Sequence, residues 1–409
     1  MSTFGVKLHQ LGNEDKILNE VYSILGKDGV KSLQSLVDEK CEQLDISQRQ
    51  FSAIVGIERK SLKRILEGEA QKVDIVSLLK LSHFLKKSID DVVRLYIYSL
   101  SSEVLSEIER TKKASFIIEN FDLVNLKKAG VIADISDFDI IDKEIKQIFN
   151  IESIYDYSDK LDYALFSRTK RTTKDKMRDF WVKSAYINFE NIENSNPYDR
   201  KGLISIISKI KPYSELGPKG FLTVIQALFN LGITVIAQSN LPNVQVRGAT
   251  FIVNDKPCIV LTDLIKNYGT IWFCLMHELY HVLYDLDKLD DTKFHLSEDQ
   301  LDLHLTEEKA NQFAREMLFG QDQLEYIKPF INNQSVVSRY AKQNAVHTSI
   351  IYSFFAWDKL MEGDNSYLIK FKNSKLLPPS DTCLDQVKLS SWNKEEYEHK
   401  LNKIRKIFN

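Results

Sequence analysis

The chain has 409 residues, of which 43% are hydrophobic and 27% are charged. This length predicts about two or three domains, and the ordinary apolar fraction excludes wholesale disorder and a collagen-like repeat. The formal net charge of −2 excludes a polycation that coats nucleic acid over its whole surface, but it permits a local basic face.

The cysteines and the apolar segments indicate the compartment. The four cysteines are far apart and form no C-x-x-C pair, which excludes a zinc ribbon and a dense disulfide framework. Isolated thiols suit a reducing compartment. Residues 1–16 lack the apolar core of a signal peptide, and polar residues interrupt the most apolar stretch, 221–237. We therefore expect a cytoplasmic protein that has no membrane partner.

Helical periodicity dominates residues 14–100 and predicts an N-terminal domain of five short helices. Ser47 and Asp74 can cap free N–H groups at helix starts, and Gly56 breaks the second helix after two turns. The predicted helices cover 32–44, 47–55, 58–66, the stretch after Asp74 and the stretch after Ser88 or Asp90.

The helix predicted over 58–66 has one apolar face and one basic face. Residues 58–64 carry a net charge of +3 in a chain whose total is −2. A short basic helix after a tight turn fits the major groove of DNA, where Lys and Arg reach phosphates and guanine edges. The alternative is a helical bundle whose charged face only meets water. The residues that we expect to contact operator DNA are Gln48, Arg59, Lys60, Ser61, Lys63 and Arg64.

The charge of this domain also predicts its oligomeric state. Residues 31–94 contain 12 basic and 10 acidic residues, so their net charge is only +2. One copy should therefore bind double-stranded DNA weakly, and useful affinity needs a homodimer on paired half-sites.

The rest of the chain predicts a mainly α fold with a small β-sheet, of the α+β class. Residues 100–215 are helix-rich, and a cluster of turn residues at 194–199 indicates a domain boundary. A helix, three short strands and two more helices follow, and further helices reach the C-terminus. The predicted strands are 233–238, 246–253 and 258–261, with a turn at 254–257, and the predicted helices are 219–231, 270–284 and 307–319. The predicted domains are 1–100, 101–195, 196–330 and 331–409.

His277, Glu278 and His281 form the pattern H-E-x-x-H within the apolar helix 270–284. On an α-helix, positions i and i+4 lie on the same side one turn apart, so both imidazoles can hold one ion. Glu278 is rotated by about 100° from His277, which places its carboxylate beside the ion, where a general base has to stand. We therefore predict a zinc site. The alternative is a pair of core histidines held by hydrogen bonds, which leaves Glu278 without a purpose.

Catalytic zinc needs a third protein ligand and an open fourth position. Glu307 is our candidate because it lies on the buried stripe of its helix, at spacings of three and four residues. Glu308 is the alternative, but it is rotated off that stripe by about 100°. Asn311, one turn after Glu307, is placed to orient a ligating imidazole. The predicted reaction is metal-assisted amide hydrolysis, in which Glu278 takes a proton from water and returns it to the leaving amine.

Residues 285–308, between the two metal helices, contain nine acidic and only two basic residues. An acidic lip that selects basic substrates is one interpretation of this segment. A solvated loop is the interpretation that we favour. We expect neither His295 nor His304 to be a ligand.

Two stretches of the chain resemble known families. Residues 46–92 resemble the Xre/Cro-type helix-turn-helix of phage repressors and HigA-type antitoxins. HELYH at 277–281, followed by EEKANQFAREML at 307–318, resembles the ImmA/IrrE-type metallopeptidase domain, whose helices usually read H-E-x-G-H and E-x-x-A-N/D-x-F-A. Further stretches look like those of longer antitoxin-like proteins that fuse both domains, and 335–357 resembles the family's terminal helix pair, which we expect to be a packing element. These further stretches are 120–132, 196–203, 248–261 and 269–285.

The resemblance implies a function. It assigns His277, His281 and Glu307 as ligands of Zn²⁺ and Glu278 as the catalytic base of a zinc metalloendopeptidase. Tyr280 departs from the family pattern, since it stands where a Gly is usual.

The expected protein is a DNA-binding transcriptional regulator whose endopeptidase domain cleaves a regulatory protein. Its substrate would be a repressor, an antitoxin or a segment of the chain itself, and a toxin would be a further partner. The alternative is a non-proteolytic antitoxin or transcription factor whose zincin-like domain only binds or senses.

Overall fold

Helices and one small sheet make up the computed structural model of the chain. Most of the described residues are helical, and four strands pair in a single sheet, which confirms the predicted class of a mainly α protein with a small β-sheet. Two compact units divide the chain, Met1–Lys112 and Lys113–Asn409. The predicted boundaries at 195 and 330 stay predictions. The structure describes residues 31–70, 72–158, 175–264, 266–287, 294–298, 305–389 and 392–408.

The first unit contains the predicted series of short helices. Hydrophobic side chains of five of them, among them Leu33, Phe51, Leu62, Leu81 and Val92, form one buried cluster. These helices are α1 (Leu33–Gln43), α2 (Gln48–Val55), α3 (Arg59–Leu66), α4 (Ile75–Leu85) and α5 (Ile89–Ser99).

Side-chain caps explain where these helices begin and end. The Ser47 and Asp74 side chains accept hydrogen bonds from backbone N–H groups at the starts of α2 and α4, as predicted, and Ser88 does the same for α5. Gly56 ends α2 in the left-handed conformation with φ 60°. Because glycine has no Cβ, it permits the tight turn between α2 and α3.

The second unit is built around one large hydrophobic cluster whose members extend from Ile117 to Phe408. The next helices along the chain are α6 (Ser102–Asn120), α7 (Leu123–Lys128), α8 (Phe138–Phe149), α9 (Lys176–Ile192), α10 (Arg200–Ile207) and α11 (Gly217–Asn230). The strands and helices that follow are β1 (Thr234–Gln238), β2 (Val246–Val253), β3 (Lys256–Thr262), α12 (Tyr268–Tyr284), β4 (Phe294–Glu298) and α13 (Leu305–Leu318). The remaining helices are α14 (Gln321–Ile327), α15 (Gln334–Gln343), α16 (Thr348–Met361), α17 (Ser366–Asn373), α18 (Asp381–Leu384) and α19 (Lys394–Phe408).

The sheet has the strand order β1-β3-β2-β4. β1 and β3 are parallel, whereas β2 is antiparallel to both β3 and β4. The turn predicted between β2 and β3 is present, and Asn254 and Asp255 have positive φ angles of 52° and 59°. Two left-handed residues in succession match the twist of a tight hairpin.

The fourth strand corrects the sequence prediction. The composition of residues 285–308 favours a solvated loop, but Phe294–Glu298 pairs with β2 and forms an edge of the sheet. Phe294 and Leu296 alternate with polar residues, which is the period of a half-buried strand. The many acidic residues around this short segment conceal that pattern.

α12 is the central helix of the second unit. It packs against β2, β3, α13 and α16, and 15 of its 17 residues are buried. The Asn267 side chain caps its first turn by accepting a hydrogen bond from the N–H of Gly269. A helix that is apolar on nearly every side is stable in water only when other elements bury it, as they do here.

The pair α15 and α16 is joined by a tight turn in which Ala345 has a φ of 50°. α16 packs on α12, and eight of its residues are buried. This confirms the packing role predicted for residues 335–357, because a buried helix presents no face to a DNA groove.

His347 caps α16 and makes the stability of this region depend on pH. Its Nδ1 accepts a hydrogen bond from the N–H of Ser349 at 3.2 Å, and burial lowers the pKa of the imidazole. The unfolded chain therefore binds a proton more readily than the folded chain, so stability is lost as pH falls through the ordinary histidine pKa of about 6.5. We expect the urea midpoint to fall less between pH 7 and pH 5 in His347→Asn, whose side chain caps without titrating.

The same substitution at the exposed His399 is the control for this measurement. An unchanged pH dependence in His347→Asn would contradict the role of His347. For one proton the effect is at most about 1.4 kcal/mol per pH unit.

The four cysteines are all buried, and none of them forms a disulfide. Burial raises the pKa of Cys258 to about 12 and that of Cys383 to about 11, so these thiols stay protonated at neutral pH. Within the described ranges, none of the helices combines the length and the apolar composition that a membrane span requires.

Candidate metal centre

His277 and His281 occupy successive turns of α12 and point to the same place. Their Nε2 atoms lie 3.2 Å apart, and the two residues are only 4% and 1% exposed. The i, i+4 spacing in a straight helix produces this arrangement. The histidine pair therefore meets in the interior, as the H-E-x-x-H pattern predicts.

Glu307 reaches the same point from α13. One of its carboxylate oxygens lies 3.2 Å from Nε2 of His277, and the other lies 3.4 Å from Nε2 of His281. Ala310 and Ala314 are fully buried and allow close packing on the stripe that carries Glu307. Glu308 is exposed. Among the described residues, the ligand atoms of His277, His281 and Glu307 lie within 4.8 Å of one another, and this group does not include Glu278.

The other ring nitrogen of each histidine also contacts a polar partner. Nδ1 of His277 lies 3.0 Å from Oδ1 of Asn311, the residue predicted for this position. Nδ1 of His281 lies 3.0 Å from Oδ2 of Asp285, which sequence reasoning missed. A signal for this contact exists, because Asp285 is four residues after His281. In the sequence, however, Asp285 is one of nine acidic residues in the segment 285–308, and nothing there distinguishes it from the others.

These outer contacts favour one tautomer for each histidine. The Asp285 carboxylate can only accept, so Nδ1 of neutral His281 donates to it and Nε2 is left with its lone pair. With Nδ1 of His277 donating to Asn311, that imidazole presents its Nε2 lone pair as well. Two imidazole lone pairs and one carboxylate then converge at hydrogen-bond distance. Such a set of acceptors is stabilised when a proton or a metal ion lies among them.

The spacing of the two imidazole nitrogens suits zinc. Ligand atoms at the corners of a tetrahedron with bonds of about 2.0–2.1 Å lie about 3.3 Å apart. The two Nε2 atoms lie 3.2 Å apart, and each imidazole faces a different oxygen of the Glu307 carboxylate, at 3.2 Å for His277 and 3.4 Å for His281. Two imidazoles and a carboxylate are also the donor set of one class of catalytic zinc site. By the spacing of the imidazoles and by the chemistry of the donor set, the residues fit Zn²⁺.

Glu278 lies beside this cluster and contacts β2. Oγ1 of Thr250 donates a hydrogen bond to Oε2 of Glu278 at 2.8 Å, and both residues are fully buried. Gly248, two residues earlier on β2, passes close to the other carboxylate oxygen. Sequence reasoning found neither contact, because nothing in the sequence pairs a strand with a helix that lies 28 residues further along.

Tyr280 packs on the opposite side of α12 from Glu278. Its ring centroid lies 4.9 Å from that of Tyr284 and 5.6 Å from that of Phe313 on α13. The Tyr280 ring is therefore part of an aromatic contact between α12 and α13.

The segment 196–203 holds the end of α12. The Tyr198 hydroxyl donates to the Val282 carbonyl at 3.2 Å, and the Arg200 guanidinium donates twice to the Leu283 carbonyl. Burial raises the pKa of Tyr198 to about 12, so its phenol keeps the proton that it donates. Carbonyls of the last helical turn have no partner within the helix, and these two side chains supply one. The turn that carries His281 is thereby fixed.

The basic residues predicted to contact DNA lie on the exposed face of α3. Leu62, Ile65 and Leu66 face the core of the first unit. Arg64 also donates to the Glu69 carbonyl, and the Gln48 side chain at the start of α2 donates to Asp38 at 2.7 Å. The exposed residues of this face are Arg59, Lys60, Ser61, Lys63 and Arg64.

Comparison of the chain with models of protein families, with curated proteins and with solved structures found no significant match.

Proposed function

We propose that this protein is a DNA-binding regulator that carries a zinc-dependent endopeptidase. His277, His281 and Glu307 would hold the zinc ion, and Glu278 would act as the general base. One observation carries the proposal, namely the convergence of three acceptor groups within hydrogen-bond distance in a largely buried site. Bound zinc would supply a Lewis acid for a peptide carbonyl and would lower the pKa of a water molecule.

The chain's own residues would complete the chemistry. Glu278 accepts a proton from the attacking water and returns it to the leaving amine. Asn311 and Asp285 hold the two imidazoles in a fixed tautomer and orientation, which raises the basicity of the ligating nitrogens. Glu307 is the most exposed of the three ligands, with 19% of its side chain accessible, so access from solvent would be on its side.

The proposed substrate is a regulatory protein, such as a repressor or an antitoxin, or a segment of this chain. This part of the proposal rests on the resemblance of 277–281 and 307–318 to the ImmA/IrrE-type metallopeptidase domain. The competing proposal is a non-proteolytic protein whose metal domain only binds or senses.

A digestion experiment separates these proposals even though the substrate is unidentified. The zinc-loaded protein is incubated with a peptide mixture derived from a bacterial proteome, and new termini are identified by mass spectrometry. We expect a set of cleavages that disappears when a chelator removes the metal and returns when zinc is added. A protein that binds one zinc ion per chain but cleaves nothing would contradict the endopeptidase and favour the binding module.

A separate observation supports DNA binding by the first unit. α2 and α3 are joined by the Gly56 turn, and the exposed face of α3 carries Arg59, Lys60, Lys63 and Arg64. A short helix that is apolar inside and basic outside can enter the major groove while its partner helix crosses the backbone. We propose that two copies of the chain bind paired half-sites.

A further inference from the structure

We propose that Thr250 is a positioning residue for Glu278 and that Gly248 provides the space in which the carboxylate is held. This inference rests on the proposed function, because it concerns the general base of that reaction. Neither residue belongs to the sequence patterns that indicated the metal site. Both belong to β2, a strand that packs directly on α12.

The hydroxyl of Thr250 is a strong contact for the carboxylate. It lies 2.8 Å from Oε2 of Glu278, and neither side chain has any exposed surface. A carboxylate without water around it needs donors from the protein, since burial of a charge without hydrogen bonds is costly. A hydroxyl donor to an ionised carboxylate is shorter and stronger than a neutral hydrogen bond. Thr250 therefore favours one orientation of the Glu278 side chain.

Gly248 sets the other boundary of the carboxylate. A Cβ atom placed on Gly248 would lie 2.7 Å from Oε1 of Glu278, 3.1 Å from its Cγ and 3.2 Å from its Cδ. Real Cβ atoms do not approach other atoms to 2.7 Å, so any larger residue would displace the carboxylate. β2 thus contacts both oxygens of the Glu278 carboxylate. The Thr250 hydroxyl contacts Oε2, and the backbone of Gly248 lies beside Oε1.

The strand geometry explains why two residues act together. Residues i and i+2 of a strand lie on the same face, so Gly248 and Thr250 both face α12. A glutamate side chain has three rotatable torsions, and a general base must lie within hydrogen-bond reach of the proton that it takes. The contacts from β2 restrict those torsions before a substrate arrives, which is how an oriented base accelerates a reaction.

Replacement of Thr250 tests this role. Thr250→Val removes the hydroxyl at nearly constant shape, and Thr250→Ser keeps it. Thr262→Val is the matched control, because the Thr262 hydroxyl is also buried in the sheet but bonds the Val246 carbonyl at 2.6 Å. For each variant we would measure zinc content and zinc affinity, kcat and KM on a peptide that the wild-type protein cleaves, and the affinity of the zinc-loaded protein for acetohydroxamate. This small chelator gives up a proton when it binds, so a base beside the metal favours its binding.

We expect Thr250→Val to bind zinc like the wild-type protein, to lose about tenfold in kcat with little change in KM, and to bind acetohydroxamate several-fold more weakly. Thr250→Ser should restore both properties, and Thr262→Val should behave like the wild-type protein. Gly248→Ala should repeat the pattern of Thr250→Val by pushing the carboxylate aside. Thr250→Ala replaces Thr250→Val if that variant does not fold.

The failures of the two proposals have different signatures. A wild-type protein that binds no divalent metal would overturn the proposed function and the role of Thr250 with it. If the wild-type protein binds zinc and cleaves nothing, the acetohydroxamate measurement decides. Wild-type kcat and acetohydroxamate affinity in Thr250→Val, or equal losses in Thr250→Ser and Thr250→Val, would overturn the positioning role alone.

Discussion

Replacement of Glu278 by glutamine is expected to abolish peptide cleavage while the protein keeps its zinc. The amide has the shape of the carboxylate and can still accept the hydrogen bond from Thr250, but it cannot take a proton from water. Loss of a positioned general base lowers the rate by about 100- to 10,000-fold. Zinc stays bound because Glu278 lies outside the group formed by His277, His281 and Glu307.

Glu308→Gln is the matched control for this variant. It makes the same chemical change in the residue next to the ligand Glu307, at an exposed position. Cleavage is followed on a quenched peptide that contains a bond from the proteome digest, and zinc is quantified by mass spectrometry. Two outcomes would contradict the assignment. Cleavage at the wild-type rate would remove Glu278 as the base, and loss of zinc would make it a ligand.

The double variant Arg59→Ala, Lys63→Ala is expected to weaken binding to duplex DNA by about tenfold or more at moderate salt and to reduce the salt dependence. Both side chains are exposed on α3. Each cationic group that binds a phosphate releases counterions, so the slope of log K against log salt should fall by about one for each such group that the substitutions remove. Fluorescence anisotropy of a labelled 24-base-pair duplex at several salt concentrations measures both effects.

The control removes two charges elsewhere in the same unit, through Lys87→Ala and Lys112→Ala. It has the same net charge as the test variant, so a general electrostatic effect would change both proteins equally. Equal affinities and equal salt slopes in the two double variants would remove the assignment of α3 to the groove.

Much of the candidate site follows from helical periodicity in the sequence. The spacing of His277 and His281 predicts that they meet, and the stripe shared by Glu307, Ala310 and Ala314 predicts which glutamate faces them. Asn311 follows from the same stripe. Each of these predictions concerns residues that are three or four positions apart on one helix, where the geometry of the backbone fixes the relative directions of side chains.

Helical periodicity could not predict the contacts that α12 makes with residues outside its own helix and α13. Thr250 and Gly248 reach Glu278 only because β2 packs on α12, and that packing is set by the whole core of the second unit. Tyr198 belongs to the turn cluster 194–199, which in the sequence indicates only a domain boundary, and Arg200 follows directly after it. Their hydrogen bonds to the end of α12 join segments more than 80 residues apart. Short-range patterns carry no information on such pairs.

The fold of the second unit also shows why residue spacing alone does not identify a DNA reader. Ala345 and Gly56 each form a left-handed turn between two short helices, but α16 is enclosed by the core whereas α3 is exposed. If α3 reads DNA, a fragment with one half-site accommodates one chain, and occupation of a palindrome requires a protein-to-duplex stoichiometry of two.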